Sequence, residues 1–524
     1  MFFRMVIVIL IIFLSACQGA NDQGGATIQQ LEKDNIKPDK KVILIMIDSM
    51  MGSLIDNSKE KGKIPALEYL IENGQYHKDL VAPFPSMSVV IESTLMTGEM
   101  PDTHKVPGLV WYNPDENRIV DYGSTMEKMI KLGMKQSLID SLYHLNNSHL
   151  SPQATTIHEV LQQKRYSTGS VNFLIYRGQK THDMTLPVLL DQWLNLNQSL
   201  QTKGPDLLAF GSAVKPKVME GKDVPDTFLS NFGLNDEYSV TVVSEMIKQG
   251  EQPDFLAVFL PSFDKEAHNN SPHYRVGFER AEAFFQDILN SYDSWDQALE
   301  ENIFIVFGDH GQDKLLDDEL AMSIPLHDIY QEYSVAPLTD DATQGDIVIA
   351  NNHRMSYIYP LQDTGLLPEL AETAMIDKRI EFASWIDEDW VYVISPDYND
   401  AFRFKSGGQW VDRYNQTWEW EGNEEIVGIK IDENRSRLSY TDFPDVLNHL
   451  MTSLNSNTHP AVALAAKPGH TFQSEGAPLH IDGGEHGGLH KNDTLGAIVI
   501  AGTDQPFENP RMVDLKDYIL QFFE

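Results

Sequence analysis

The chain has 524 residues, 42% of them apolar, and a formal net charge of -37. Such acidity makes nucleic acid and anionic membrane surfaces poor partners, and an anionic substrate would need metal ions or a local basic patch to approach. The length implies one large domain with insertions, and the single cysteine, Cys17, excludes an internal disulfide.

At the N-terminus, "MFFR" is followed by the apolar run "MVIVILIIFL" at 5–14. As a helix this covers about 15 Å, half the hydrocarbon core of a bilayer, which suits a signal peptide rather than a membrane span. The "LSAC" that closes it resembles the lipobox of bacterial lipoproteins, implying cleavage before Cys17 and acylation of its thiol. An ordinary secretory signal with an incidental cysteine is the alternative. The expected layout is a signal peptide at 1–16 and a polar tether at 17–40, in a protein exported and lipid-anchored to a bacterial cell envelope.

The run 42–47 in "KKVILIMIDSM" has the character of a strand buried on both faces, and it ends at Asp48. "IPALEYLIENG" then has apolar residues at helical spacing and a glycine stop, and "FPSMSVVIESTLMTGEMP" at 84–101 passes from a proline turn into a helix ending at Gly98. "TTIHEVLQQKRYSTGSVNFL" is a further helix-to-strand unit. The turn-rich stretch 180–235 reads as an insertion. Helix-then-strand rhythm resumes in "YSVTVVSEMIKQGEQPDFLAVFLPSFD" at 238–264 and continues to "NIFIVFGDH". This succession predicts an α/β domain with a largely parallel sheet.

Between about 345 and 475, "DWVYVIS", "AFRFKSGGQWVDRY" and "TWEWEG" alternate apolar and polar residues around a glycine hairpin signal, as antiparallel strands do. Five of the eight tryptophans lie between Trp385 and Trp420. They form either the aromatic core of a small inserted domain or the lining of a substrate mouth. "GAIVIAG" at 496–502 reads as a last buried strand.

Three of the apolar runs end in acidic residues: Asp48, then Asp264 with His268, then Asp309 with His310. Ligands of open α/β sheets sit outside the carboxyl ends of the strands, so these side chains can converge. Asp264 and His268, four apart, share a face of a helical turn and can share one ion. In "HIDGGEHGGLHKND", His486 is flanked by glycines that let the backbone approach an ion closely, while His480 and His490 read as solvated. A chelating cluster of all three histidines is the alternative there.

The order of an aspartate, a hydroxyl residue after a proline turn, D-x-x-x-H, G-D-H-G and G-x-H-G resembles the alkaline phosphatase superfamily, and within it the type I phosphodiesterase/nucleotide pyrophosphatase branch. The resemblance implies an alkaline-phosphatase-like core, a central mostly parallel sheet flanked by helices, over 41–345 and 475–524, with 346–474 as an inserted smaller α+β cap. It implies two divalent metal ions, usually zinc, although Asp/His ligation accepts manganese too. One would be held by Asp264, His268 and His486, the other by Asp48, Asp309, His310 and the nucleophile.

That branch carries its nucleophile in F-P-T-K-T-F-P-N, followed by T-G. "FPSMSVVIESTLMTG" matches it without a gap and puts the hydroxyl on Ser88, with Ser86 the competing choice. His104, in "MTGEMPDTHKVPG", reads as structural. The family's asparagine three residues after the nucleophile is Ile91 here, so another donor must serve the phosphoryl oxygen. The C/S-x-P-x-R signature of sulfatases is missing around Ser88. The implied activity is two-metal hydrolysis of phosphate esters through a phosphoserine. Phosphomonoesterase or phosphonate hydrolase activity, and a phosphoglycerol or phosphoethanolamine transferase of the cell envelope, are alternatives within the class. A catalytically inactive metal-holding surface binding protein is the alternative outside it.

Overall fold

The computed structural model describes residues 37–185, 200–227, 233–339, 342 and 344–524. The expected signal peptide, Cys17 and most of the tether lie outside the described residues. Strand β1 (Lys41–Ile47) buries six consecutive apolar side chains from Val42 to Ile47. Because side chains alternate along a strand, Ile43, Ile45 and Ile47 enter one apolar core and Val42, Leu44 and Met46 the other. Each such side chain contributes about 1.5–3 kcal/mol of burial. Strand β2 (Gly74–Val81) leads to helix α1 (Ser88–Thr97), which follows a cis Phe84–Pro85 bond and stops at Gly98 in the left-handed region.

Strands β3 (Thr168–Val171) and β4 (Leu207–Ala209) come next. The stretch 180–235 is therefore not wholly an insertion, since β4 pairs in parallel with β3 at the edge of the central sheet. Three residues are too few to display a hydrophobic period. The chain continues through α2 (Asp236–Lys248), β5 (Phe255–Leu260), α3 (Ser262–Asn269), α4 (Arg275–Leu289) and β6 (Asn302–Phe307).

A second sheet then forms from β7 (Ile347–Asn352), β8 (Met355–Pro360), β9 (Ile380–Asp387), β10 (Trp390–Ile394), β11 (Phe402–Val411), β12 (Thr417–Gly422), β13 (Ile429–Asp432), β14 (Arg437–Tyr440) and β15 (Val462–Ala466). Its order is β7-β8-β15-β9-β10-β11-β14-β13, with β12 also paired to β11. Helix α5 (Val446–Ser456) packs against it. The Gly407–Gly408 pair expected to make a hairpin turn lies inside β11 instead, where the register shifts between Ser406 and Trp410. A Cβ on Gly408 would lie 2.5 Å from the Trp418 carbonyl oxygen, so the glycine permits close backbone approach within a bulge. The turn falls at 412–416, where Asp412 accepts from the amides of Tyr414 and Gln416, the indole N–H of Trp418 and the hydroxyl of Tyr440.

The tryptophans belong to this sheet's packing. Trp385 and Trp418 are buried, Trp410 and Trp420 face each other at 4.9 Å, and Trp390 lies under Arg403 and Lys405. Finally β16 (Leu495–Ala501) enters the central sheet between β2 and β6, antiparallel to both. Among the described residues that sheet has the order β2-β16-β6-β1-β5-β3-β4, parallel from β6 to β4. None of the described helices is long and apolar enough to cross a membrane.

Candidate metal centre and active site

Parallel pairing aligns the carboxyl ends of β1, β5 and β6 at one edge. Asp48 follows β1 directly, Asp264 sits in the first turn of α3 after β5, and Asp309 and His310 follow β6. Gly308 makes that last approach feasible, since a Cβ there would lie 2.0 Å from the carbonyl oxygen of Met50. Ser49, with φ of 62°, ties the three ends together. Its amide donates to Asp309 Oδ1 at 3.0 Å and its hydroxyl to Asp264 Oδ1 at 2.8 Å. Gln312 Nε2 donates to both Ser49 Oγ and Asp264.

The histidines expected as ligands have their tautomers set by the backbone. Nδ1–H of His268 donates to the carbonyl of Gly484 at 2.8 Å, that of His310 to Gly311 at 2.9 Å, and that of His486 to Ser86 at 2.7 Å. In each neutral ring this leaves Nε2 as the lone pair, the arrangement that metal-binding imidazoles take. His268 Nε2 lies 3.3 Å from Asp264 Oδ2, and His486 Nε2 lies 3.8 Å from Asp264 Oδ1. His310 Nε2 lies 3.5 Å from both Asp48 Oδ1 and Asp309 Oδ2.

Those last three atoms are buried and have no hydrogen-bond partner. Facing acceptors left unsatisfied at such spacing would be costly, and a divalent cation among them satisfies all three. The donor sets Asp48–Asp309–His310, Asp264–His310–His486 and His268–Glu485–His486 each lie within 4.8 Å, so the residues present fit metal binding, but the expected trio of Asp264, His268 and His486 is divided between the last two sets.

The electrostatics agree. Burial, then the charges of Asp309 and Asp264, push Asp48 well above the usual carboxylate range. Burial also raises Asp309 to about 6. Burial would lower His268, but the charges of Asp264 and Glu485 override it and push the ring up to about 10. His310 is lowered to about 4 and His486 falls well below its ordinary value, both chiefly by burial. The neighbouring imidazoles, His268 foremost, hold Asp264 well below the usual carboxylate range despite its burial, so a cation would relieve the crowding of the three carboxylates and displace protons from Asp48 and Asp309 alone.

Of the two hydroxyls after the cis-proline turn, Ser86 is buried and committed. It donates to the carbonyl of Gly488 and accepts from the amide of Gly487. Ser88 is partly exposed at the first position of α1, and its hydroxyl makes no hydrogen bond with a described residue. One turn on, Glu92 shares the Ser88 face of α1. Its carboxylate accepts from the amides of Leu174 and Ile175, and burial holds it well above the usual carboxylate range. Ile91 is fully buried in an apolar core. His104 is buried as well, bonded to Thr94 Oγ1 and the Val106 amide in a structural setting.

Sequence reasoning passed over Ser49, Gln312, His353 and Glu485. Glu485 is fully buried beside His486 and faces His268, His353 and His480. The two outer histidines of the C-terminal segment therefore part company. His480 joins this cluster, whereas His490 caps a short helix by accepting from the Asn492 amide.

Comparison with known proteins agrees with this geometry. The family model for type I phosphodiesterase/nucleotide pyrophosphatase matches residues 42–367. No curated protein matches the chain by sequence. Among solved structures, murine ectonucleotide pyrophosphatase/phosphodiesterase 5 is similar, with a TM-score of 0.53 and 12% identity over 92% of this chain and 94% of that one. An inactive form of the murine protein has been solved in complex with AMP. Phosphonoacetate hydrolase from Sinorhizobium meliloti, in complex with phosphonoacetate, has a TM-score of 0.50 and 13% identity over 95% of this chain and 99% of that one. At such identities these likenesses concern the fold, which is alkaline-phosphatase-like. The chain belongs to the type I phosphodiesterase/nucleotide pyrophosphatase family, and it is a phosphoric ester hydrolase.

Proposed function

We propose that the protein hydrolyses phosphate esters, phosphodiesters first among them, with two divalent metal ions and Ser88 as nucleophile. The observation that carries this reading is the trio of facing, unpartnered atoms on Asp48, Asp309 and His310. Those residues and Ser88 would hold one ion, and Asp264, His268 and His486 the other. Zinc suits both donor sets, and manganese suits them too. When bound, the ions neutralise phosphoryl and leaving-group oxygens and make the Ser88 hydroxyl easier to deprotonate.

The chain's own residues do the rest. Ser88 Oγ forms a bond to phosphorus as the bond to the leaving oxygen breaks; a diester leaves its second ester group on the seryl phosphate, and a monoester gives phosphoserine. Water then cleaves that ester, with net retention at phosphorus. Whereas the amides of Val90 and Ile91 donate to the Met87 carbonyl, those of Ser88 and Val89 make no bond within the helix and carry its positive end. They are the donors available to phosphoryl oxygens where Ile91 can offer none. AMP in the murine relative and phosphonoacetate in the bacterial one carry phosphorus oxyanions, which supports a substrate of that class.

In the same reading, the second sheet at 346–474 acts as a cap over the core at 41–345 and 475–524. Export and acylation at Cys17 attach the protein to the envelope, so Cys17→Ser should lose its partitioning into detergent; unchanged partitioning would refute the anchor.

The decisive experiment is a panel of nitrophenyl diester, monoester, nucleotide and phosphonate substrates given to metal-reconstituted protein, followed by acid quench and peptide mass spectrometry. Diester turnover is expected, with the phosphoryl group and its remaining ester on Ser88, and bare phosphate there with the monoester. Phosphate on Ser86 would overturn the nucleophile assignment. Metal bound without turnover on any substrate would make the protein a binder, and transfer to added glycerol or ethanolamine a transferase.

A further inference from the structure

Beside the two-ion centre lies a further cluster, joined to it at Glu485, which also groups with His268 and His486. Glu485 is fully buried, with His353 Nδ1 2.9 Å from its Oε1 and His480 Nδ1 2.8 Å from its Oε2. We propose that His353, His480 and Glu485 form a third divalent-cation site, adjoining and resting on the two-ion reading. Two imidazoles and one carboxylate make a donor set that suits zinc and leaves a coordination position open. All three donor atoms lie within 4.8 Å of one another.

One observation favours a cation over a plain hydrogen-bonded knot. Whereas His480 Nδ1–H donates to Glu485 Oε2, His353 Nδ1 is buried and makes no hydrogen bond although it lies 2.9 Å from Glu485 Oε1. It faces the carboxylate off the line of N–H donation, as two lone pairs aimed at a common ion would be. His353 occupies the two-residue turn between β7 and β8 at φ of 65°, a left-handed conformation in which histidine, asparagine and aspartate are enriched among side chains.

The rest of the turn is built to hold that ring in place. Arg354, fully buried, bonds Asp493 and the carbonyls of Lys467 and His470, and its amide donates to the carbonyl of His486. The carbonyl of His353 accepts from the Phe472 amide. The side chains of His353 and His480 remain 11% and 20% exposed, so an ion held here stays open to water or to an anionic group of the substrate. In a chain of net charge -37, that supplies local positive charge where an anion must approach.

The test is a metal count. Wild-type protein equilibrated with excess Zn2+, desalted and analysed by inductively coupled plasma mass spectrometry should retain three equivalents. The His353→Gln/His480→Gln variant should retain two. Two equivalents in the wild type, or three in the variant, would overturn the third site while leaving the two-ion reading intact; fewer than two in the wild type would overturn both. Should the variant not fold, zinc-edge anomalous scattering from wild-type crystals decides. A peak among His353, His480 and Glu485 is expected, and a peak on the His268 side of Glu485 alone, or none, refutes the proposal.

Discussion

The central sheet and the second sheet reach the same site by different means. In the first, β1, β5 and β6 run in parallel and deliver Asp48, Asp264, Asp309 and His310 from three adjacent carboxyl ends. In the second, strands that are mainly antiparallel alternate in direction, so neighbouring carboxyl ends fall at opposite edges. Its hairpin turn His353–Arg354 is what meets the cluster, fastened through a buried arginine. The contrast teaches that a parallel edge concentrates chemistry by topology, whereas an antiparallel sheet contributes a point contact and otherwise stability. Substitutions should therefore separate into those that silence the enzyme and those that loosen it.

The largest separation is expected at the two serines. Ser88→Ala should lower kcat by about a thousandfold or more while keeping bound metal, because the nucleophile is lost and the acidic and imidazole ligands remain. Ser86→Ala should keep most of the rate and lose about 1–3 kcal/mol of stability, since the buried Gly487 amide loses its acceptor. Steady-state kinetics beside denaturant unfolding would distinguish them, and the reverse pattern would break the comparison.

Next come the C-terminal histidines. His486→Ala should release metal and lower turnover by at least about a hundredfold, a loss of ligand and of ring orientation together. His490→Ala, at a helix cap, should leave rate and metal content nearly unchanged. Equal losses at the two positions would show that the glycine-flanked loop is misassigned. In the second sheet, Trp418→Ala should cost about 3–5 kcal/mol in unfolding free energy with metal content retained. Metal loss at that substitution would mean the second sheet does more than support.

The smallest effect sharpens the comparison through pH, remote from the metal centre. Glu282 on α4 accepts from the amides of Ala66 and Leu67, and burial opposes its charge enough to raise it from 4.5 to about 7. A carboxyl raised on folding binds more protons folded than unfolded. Its contribution to stability is thus present below about 4.5 and fades as pH rises through about 7. Gln at this position stays neutral, so Glu282→Gln should gain in melting temperature over wild type as pH goes from about 5 to 8. A pH-independent difference would refute the assignment.

Much of this was legible in the chain because strand ends announce themselves: apolar runs broken by Asp48, Asp264 and Asp309 need no knowledge of pairing. The family motif order then grouped them. Other parts carried no local signal. β4 is too short to show alternation, and Gly407–Gly408 carries the same dipeptide whether it makes a turn or a bulge, so only the partner strand decides. His353 lies between two strands with nothing periodic to single it out. Glu485 stood beside His486 in plain view, yet a buried carboxylate among imidazoles is recognisable only once segments far apart in the chain are brought together.

The placement of β16 bears on how the enzyme comes into being. It fills the gap between β2 and β6, and it arrives with residues 495–501, shortly after His486. Until then β2 and β6 are two unpaired edges of an unfinished sheet, and the loop that pins Ser86 does not exist. Pairings this distant in sequence make for slow, late closure. A chain interrupted before His486, by stalled synthesis or proteolysis, would lack both a sealed core and an imidazole proposed to hold metal. Hydrolytic activity in this protein is therefore also a certificate of completeness, issued only to molecules whose two halves have found each other.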